Sequence, residues 1–207
     1  MPSITRIAKP GRARRRSGAR AKLLAATETL LGRGHAFTDI SVEDLIVEAG
    51  VARSTFYAHF EDKSLALLEL TEQLVADLED TVSLWYRLPP GATREDLRDA
   101  LAQLVEAHSR HRAILIGVAE AAAYEPRVRA GYEALMRRRT VEIENGLRAQ
   151  QSQGGVRAGV DTAQVAVWII WLIERGLSKL RTGDDDSLRQ HLDGVVEIIW
   201  RVLYDGR

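Results

Sequence analysis

The sequence predicts an all-α protein with about nine helices. Apolar residues recur at helical spacing along the chain, and glycine, proline or capping residues separate these stretches. No segment alternates between apolar and polar residues for long enough to form a β-strand. The 207 residues can enclose a buried core, and 45% apolar with 28% charged residues is typical of a globular protein.

Most of the predicted helices have a recognisable start or stop. Ser41 and Thr93 can each cap a helix, with an acidic partner three positions later in a capping box. Pro126 suits the first turn of a long helix, and the Pro-Pro-Gly run at 89–91 ends an earlier one. The predicted helices span about residues 17–31, 41–48, 53–59, 63–87, 93–108, 112–123, 126–153, 161–180 and 187–204.

Basic residues are concentrated at the N-terminus. The chain has no net charge, yet residues 1–22 contain eight arginines and lysines and no acidic residue. The other 185 residues therefore carry 21 basic against 29 acidic side chains, a net charge of −8. We expect residues 1–16 to form a flexible basic arm, which either binds a polyanion or serves as a solubilising tail.

Composition excludes several classes of protein. Cysteine is absent, so the chain has no disulfide, no thiolate metal site and no thiol nucleophile. No apolar run approaches the roughly 18 residues of a membrane span, and the basic N-terminus lacks the apolar core of a signal peptide. We therefore expect a cytoplasmic protein without a membrane segment, and the sequence indicates neither a cofactor nor a metal ion.

Residues 41–63 predict a helix-turn-helix unit. Its two short helices are joined by a tight turn at Gly50, and Val51 can fill the angle between them. Phe56 and Phe60 are four residues apart, so they share the inward face of the second helix. The polar side chains on its outer face are those of Arg53, Ser54, Thr55, Tyr57 and His59.

These residues resemble the DNA-binding domain of the TetR family of transcriptional regulators over about residues 17–65. The resemblance is carried by Asp39-Ile40-Ser41-Val42, Ala49-Gly50-Val51, Ser54-Thr55-Phe56-Tyr57-Ala58-His59-Phe60 and Asp62-Lys63. A weaker likeness to the EthR-type subgroup runs from Ile173-Glu174-Arg175 to the closing residues 199–207. The family implies a DNA-binding domain at 17–64 and a helical effector-binding and dimerisation domain at 65–207. Ala52 is a departure, because many members cap the recognition helix with Ser or Thr there.

The resemblance also implies which residues contact a double-stranded DNA operator. Arg53, Ser54 and Thr55 would face base edges in the major groove, and their hydrogen-bonding groups suit that task. Contacts to the phosphate backbone would come from Ser41, Tyr57, His59 and Lys63. Tyr57 as a packed aromatic and His59 as an ordinary surface histidine are the alternatives.

An apolar effector pocket is a second expectation from the resemblance. In the family the fifth, seventh and eighth helices commonly enclose one, which would suit a hydrophobic small molecule. Ordinary core packing is the alternative for each of these residues. The candidate pocket residues are Leu101, Leu104, His108, Tyr132, Met136, Trp168, Ile173 and Trp200.

A broad apolar stripe on the last helix predicts a homodimer through the last two helices. Its residues are Leu188, Leu192, Val195, Ile199 and Val202. By resemblance the two subunits would form a four-helix bundle. A two-fold pair of recognition helices then requires a roughly palindromic operator, with half-sites near a whole number of helical turns apart.

Repression is the commoner mode in this family, so we expect a repressor that an effector releases from its operator. One alternative keeps the DNA-binding domain and makes the C-terminal half only a dimerisation or protein-interaction module. A small helical enzyme is a more distant alternative. It rests on His108 and His111 near Glu106, and on the acidic cluster Asp184-Asp185-Asp186. Charges at helix ends explain both groups without a catalytic site.

Overall fold

The structure is a computed structural model that describes residues 10–179 and 185–205. Within these ranges it is entirely helical, which confirms the predicted all-α fold. No helix of the described ranges is long and apolar enough to cross a membrane. The α-helices are α1 (Pro10–Gly32), α2 (Val42–Ala49), α3 (Arg53–Tyr57), α4 (Lys63–Asp77), α5 (Glu79–Ser83), α6 (Arg94–Arg110), α7 (Arg112–Tyr124), α8 (Pro126–Ser152), α9 (Thr162–Lys179) and α10 (Asp185–Leu203).

The described residues contain more helices than predicted because residues 63–87 do not form one long helix. α4 ends at Asp77, α5 follows, and a short 3-10 helix covers Trp85–Arg87. Trp85 and Tyr86 are both buried, and the Tyr86 ring lies against Gly146 of α8. Packing against a distant part of the chain therefore breaks the helix, and local periodicity contains no sign of that packing.

α1 begins earlier than predicted. The sequence places its start at Ser17, whereas the helix starts at Pro10, a residue that suits a first helical position. Residues 10–16 of the predicted flexible arm therefore have a helical backbone. Residues 1–9 lie outside the described part of the chain.

Both predicted capping boxes are present. The backbone N–H of Asp44 donates to Ser41 Oγ at 3.1 Å, and the Asp44 carboxylate accepts from the Ser41 backbone N–H at 2.8 Å. Thr93 and Asp96 make the same pair of bonds at the start of α6. Such bonds satisfy N–H groups that a helix start otherwise leaves without a partner, so they fix where α2 and α6 begin.

Two apolar cores lie along the molecule. The first contains buried residues of α1 to α4, α7 and the start of α8, and the second those of the 3-10 helix, α6, α9, α10 and the C-terminal half of α8. α8 contributes Val128 to the first core and Ile143 to the second. Leu67 and Leu70 belong to the first core, so that core continues past residue 64. The predicted domain boundaries stay a prediction.

The helix-turn-helix unit is joined to the rest of the chain by polar and apolar contacts between α4 and α8. Arg127 Nη1 of α8 lies 2.7 Å from the carboxylate of Asp62, which caps α4, and 3.3 Å from that of Glu61. A Cβ at Gly131 would lie only 2.6 Å from Leu68 of α4, so glycine permits the close approach of the two helices. These contacts set the position of α4 against α8.

Candidate nucleic-acid interface and effector region

α2, a turn and α3 form the helix-turn-helix unit. Gly50 ends α2 with a φ of 60°, a left-handed conformation that costs glycine little. The backbone N–H of Val51 donates to the carbonyl of Ile46 at 3.1 Å and closes the turn. Val51 and Ile46 both pack against the first core, as the sequence predicts for Val51.

Two phenylalanines anchor the recognition helix. Phe56 and Phe60 are buried, with ring centroids 5.8 Å apart. Ala52 precedes α3 without a side-chain hydrogen bond, so the departure seen in the sequence leaves this helix start without a side-chain cap. The opposite side of α3 and the residues just after it carry exposed Arg53, Ser54 and Tyr57 and half-buried Thr55 and His59.

Arg53 has contacts on both helices of the unit. Its guanidinium forms an ion pair with Glu43 of α2. Its other terminal nitrogen lies 3.5 Å from Tyr57 Oη, and the guanidinium carbon is 5.6 Å from the centre of the Tyr57 ring. Arg53, expected to face a base, and Tyr57, expected to contact a phosphate, are therefore held together beside the carboxylate of Glu43, which the sequence analysis did not single out.

Lys63 differs from its prediction. Its ammonium donates to the backbone carbonyls of Phe37, Thr38 and Ile40 at 3.0, 3.1 and 2.7 Å. Because an ammonium has three protons, these bonds use its whole donor capacity. Burial lowers the pKa of Lys63, against the opposing effect of nearby carboxylates. The expectation that Lys63 binds a phosphate therefore does not fit; it ties the loop before α2 to the start of α4.

Ser41 keeps an exposed position at the start of α2. Its hydroxyl donates to the Asp44 carboxylate at 2.6 Å while accepting from the Asp44 backbone. These side-chain and backbone hydrogen bonds from Ser41 hold the pKa of Asp44 below its usual value. The capping role is confirmed, and a phosphate contact by Ser41 stays a prediction.

The predicted pocket residues do not share one environment. Leu101, Leu104 and Ile173 are buried in the second core, and Trp200 packs against it partly buried. His108 of α6 and Met136 of α8 are half-buried, and so is Tyr132 of α8, which packs against the first core. Trp168 is 73% exposed, so the prediction that it lines an enclosed pocket is wrong. The apolar pattern of α9 does not show whether Trp168 faces the core or the outside of the protomer, because that depends on how α9 packs against its neighbours.

A group of polar side chains lies next to Tyr86 of the second core. Arg139 of α8 is 6% exposed and forms ion pairs with Glu79 and Glu142. Tyr86 Oη and Arg139 Nη2 are buried and have no hydrogen-bond partner among the described residues. Burial raises the pKa of Tyr86, so its hydroxyl remains protonated. Sequence analysis missed this group, since Arg139 stands in the basic run at 137–139 that reads as a solvated surface.

Two of the half-buried residues predicted for the pocket, His108 and Tyr132, also have polar partners. Burial lowers the pKa of His108, whose Nδ1–H donates to the carbonyl of Leu104 at 2.9 Å, so Nε2 of the neutral ring is left as an acceptor. The hydroxyl of Tyr132 donates to Glu174 of α9. Burial is the larger cause, and the hydrogen bond to Glu174 the smaller one, of a pKa of Tyr132 above its usual value. These two predicted pocket residues are therefore less apolar in their surroundings than the sequence predicts.

One described residue of the predicted dimer stripe is buried inside its own protomer. Ile199 is fully buried in the second core of its own protomer, so the prediction that it lies at a subunit interface is wrong. Leu192, Val195 and Val202 are partly buried against the same core. The side chain of Leu188 lies outside the described residues. Among the described side chains of α9 and α10, the large apolar ones that remain exposed are Val167, Trp168, Trp171 and Ile198.

The residues behind the enzyme alternative are placed as follows. His108 is held by Leu104, and His111 Nδ1 lies 3.7 Å from Glu28 of α1. Glu106 pairs with Arg110 on the surface of α6. The three aspartates at 184–186 lie outside the described side chains. Among the residues described, no group of three histidine or acidic side chains is arranged to hold a metal ion.

Comparisons with known proteins agree on one family. The family model described as "Transcriptional regulator EthR, C-terminal domain" matches residues 97–205, just over half of the chain. The chain is 27% identical over 185 residues to the HTH-type transcriptional regulator EthR of Mycobacterium tuberculosis H37Rv, covering 88% of this chain and 85% of that protein. The EthR of Mycolicibacterium smegmatis is 25% identical over 175 residues, which are 84% of this chain and 80% of that protein.

A solved structure supports the same assignment at the level of the fold. A TetR-family regulator from Syntrophomonas wolfei superimposes with a TM-score of 0.72 at 17% identity, covering 88% of this chain and 93% of that one. The chain therefore belongs to the TetR family of DNA-binding transcriptional regulators, in the group that has an EthR-type C-terminal domain.

Proposed function

We propose that the protein is a repressor that binds a palindromic operator as a homodimer and is released by a small-molecule effector. The observation that carries the proposal is that α3 has a buried apolar side and an exposed polar side. Phe56 and Phe60 hold this helix in the first core, while Arg53, Ser54 and Tyr57 remain exposed. A rigidly anchored short helix that presents an arginine and hydroxyl groups suits base and phosphate contacts in the major groove.

The homodimer is proposed from the outward faces of α9 and α10. Val167, Trp168 and Trp171 lie on one face of α9 at helical spacing, and Trp168 is 73% and Trp171 53% exposed. Ile198 of α10 is also exposed. Exposed apolar side chains of this size, grouped on one face of a helix, are typical of an interaction surface. A two-fold axis at this surface makes the same face available on both subunits, as a closed dimer requires.

The effector is proposed to have an apolar body and one neutral hydrogen-bond acceptor. Tyr86 Oη and Arg139 Nη2 are buried donors without a protein partner among the described residues, and leaving such donors unpaired is unfavourable. The carboxylates of Glu79 and Glu142 already balance Arg139 and its neighbour Arg87. An ester, ketone or hydroxyl therefore suits this group better than a second carboxylate.

Operator binding is tested by fluorescence anisotropy in a salt series. The probes are the intergenic DNA upstream of the protein's own gene and a scrambled duplex of equal length. We expect the native duplex to bind about a thousandfold more tightly, with a steep salt dependence. Arg53→Ala should weaken native-duplex binding by about 1–3 kcal/mol and relax sequence preference at one base pair.

Arg148→Ala is the matched control, since Arg148 is an exposed arginine of α8 that pairs with Glu144. It should leave both affinities unchanged. Equal, weak binding of wild-type protein to both duplexes, followed by a randomised DNA pool that yields no site, would overturn the proposal.

The effector is tested by thermal unfolding with 1-octanol, methyl octanoate and octanoate. We expect the two neutral compounds, and not the anion, to raise the melting temperature with concentration. Tyr86→Phe should reduce this shift without lowering the melting temperature of the ligand-free protein, because the lost hydroxyl has no protein partner. If none of the three compounds acts on the wild type, the alternative of a purely dimerising or protein-binding C-terminal half is favoured.

A further inference from the structure

α2 contributes a carboxylate to the recognition surface. Glu43 lies in the first turn of α2, and its side chain is 55% exposed. It forms an ion pair with Arg53, the first residue of α3. An acidic side chain next to DNA phosphates opposes binding in general, so its presence here needs a reason other than affinity.

Arg53 is held from two directions. One terminal nitrogen of the guanidinium pairs with Glu43, and the other lies 3.5 Å from Tyr57 Oη. The guanidinium also lies above the Tyr57 ring, with its carbon 5.6 Å from the ring centre. A long, exposed arginine otherwise samples many rotamers, and each must be lost when it docks on a base.

We infer that Glu43 is a positioning residue that determines sequence specificity by orienting Arg53. The inference rests on the proposed function, since it concerns the same DNA-binding surface. With Glu43 and Tyr57 on its two terminal nitrogens, Arg53 is limited to orientations compatible with both contacts. Its charge is also partly neutralised, so a phosphate competes less well for the guanidinium than a correctly placed guanine, which offers two acceptors.

This arrangement has a consequence for binding without sequence preference. In Glu43→Gln the guanidinium loses its charged partner, and Arg53 is free to pair with phosphates in many registers. The affinity for unrelated DNA should therefore rise, while the affinity for the operator should rise less or should fall. The ratio of the two affinities should fall by about tenfold, within the range of one good bidentate base contact.

The chain offers a matched control in the same helix. Glu48 of α2 also pairs with an arginine, since Arg33 Nη1 and Nη2 lie 2.7 and 3.1 Å from its two carboxylate oxygens. Arg33 belongs to the segment after α1 and not to the recognition helix. Glu48→Gln makes the same change of charge on α2 without touching Arg53, so it measures the electrostatic effect alone.

The experiment compares five full-length proteins: wild type, Glu43→Gln, Glu48→Gln, Arg53→Ala, and Glu43→Gln combined with Arg53→Ala. The DNA is a duplex selected by the wild type from a randomised pool, with a scrambled duplex of equal length, and anisotropy is measured at three salt concentrations. Wild type, Glu43→Gln, Arg53→Ala and the combined variant form a double-mutant cycle. Equal melting temperatures check that each variant is folded.

We expect Glu43→Gln to lower the ratio of operator to scrambled-DNA affinity by about tenfold, and Glu48→Gln to leave that ratio unchanged. In the Arg53→Ala background, Glu43→Gln should have no further effect on the ratio. An unchanged ratio in Glu43→Gln, or an equal fall in the Arg53→Ala background, would overturn the inference alone. If the wild type selects no duplex from the pool, the proposed function fails and this inference fails with it.

Discussion

Replacing Trp168 and Trp171 together by alanine is expected to convert the protein from a dimer to a monomer and to weaken operator binding by about a hundredfold or more. Both indoles project from one face of α9, where they are 73% and 53% exposed. Large aromatic side chains contribute most of the binding energy of many interfaces. A monomer engages one half-site at a time, so it loses the gain from linking two recognition helices.

The measurement is sedimentation equilibrium, followed by anisotropy on the same samples. Tyr124→Ala is the control, because Tyr124 is 75% exposed at the end of α7 and lies on another helix. It removes an exposed aromatic ring without touching α9 or α10. A Trp168→Ala, Trp171→Ala protein that stays dimeric at micromolar concentration would show that subunits meet elsewhere.

Gly194 of α10 is a further observation in favour of a dimer through the exposed faces of α9 and α10. The residue is exposed, and a Cβ built on it meets nothing within 4 Å in the protomer. It lies one helical turn before Ile198, which is also exposed. A glycine beside an exposed isoleucine lets a second helix approach the backbone closely. On a helix that faced only solvent, alanine would be more stable at this position than glycine.

Gly146→Ala is expected to destabilise the fold by about 1–3 kcal/mol, the usual cost of overpacking a core. A Cβ at this position of α8 would lie 2.4 Å from Tyr86 Cδ2 and 2.7 Å from the backbone oxygen of Tyr86. The ring could rotate, but the backbone oxygen cannot move without shifting the 3-10 helix at 85–87. The adjacent Trp85 is also buried, which limits that shift.

Urea unfolding at one fixed protein concentration measures this effect, because dimerisation makes stability depend on concentration. Gly18→Ala of α1 is the control: its Cβ meets nothing within 4 Å, so the better helix propensity of alanine should leave stability unchanged or raise it by up to about 1 kcal/mol. If Gly146→Ala is as stable as the wild type, the close contact between α8 and Tyr86 is not present in solution.

The helix-turn-helix could be predicted in detail because its signals are local. The capping pair Ser41–Asp44, the tight turn at Gly50 and the phenylalanine pair Phe56–Phe60 act over four residues or fewer, and each is found as predicted. Interactions of this range depend on residue type and spacing alone. The exposed positions of Arg53 and Tyr57 follow from the same helical spacing.

Lys63 shows where that local reasoning ends. Its place at the start of α4 is predictable, but the carbonyls that take its three protons come from the loop after α1. Trp168 and Ile199 show the same limit for apolar residues. An amphipathic helix has a predictable stripe, yet neither α9 nor α10 indicates by itself which neighbour covers that stripe.

The all-α class, the order of most helices and the DNA-binding unit were determined by the sequence, since propensity, capping and spacing act within a few residues of each other. Tertiary structure alone decided the break after α4, the buried Arg139 with Tyr86, and the outward direction of Trp168. Each of these depends on helices that meet after being separated by long stretches of chain. The physical reason is that the burial of a side chain depends on two contacting surfaces, whereas the sequence of one helix describes only the surface of that helix.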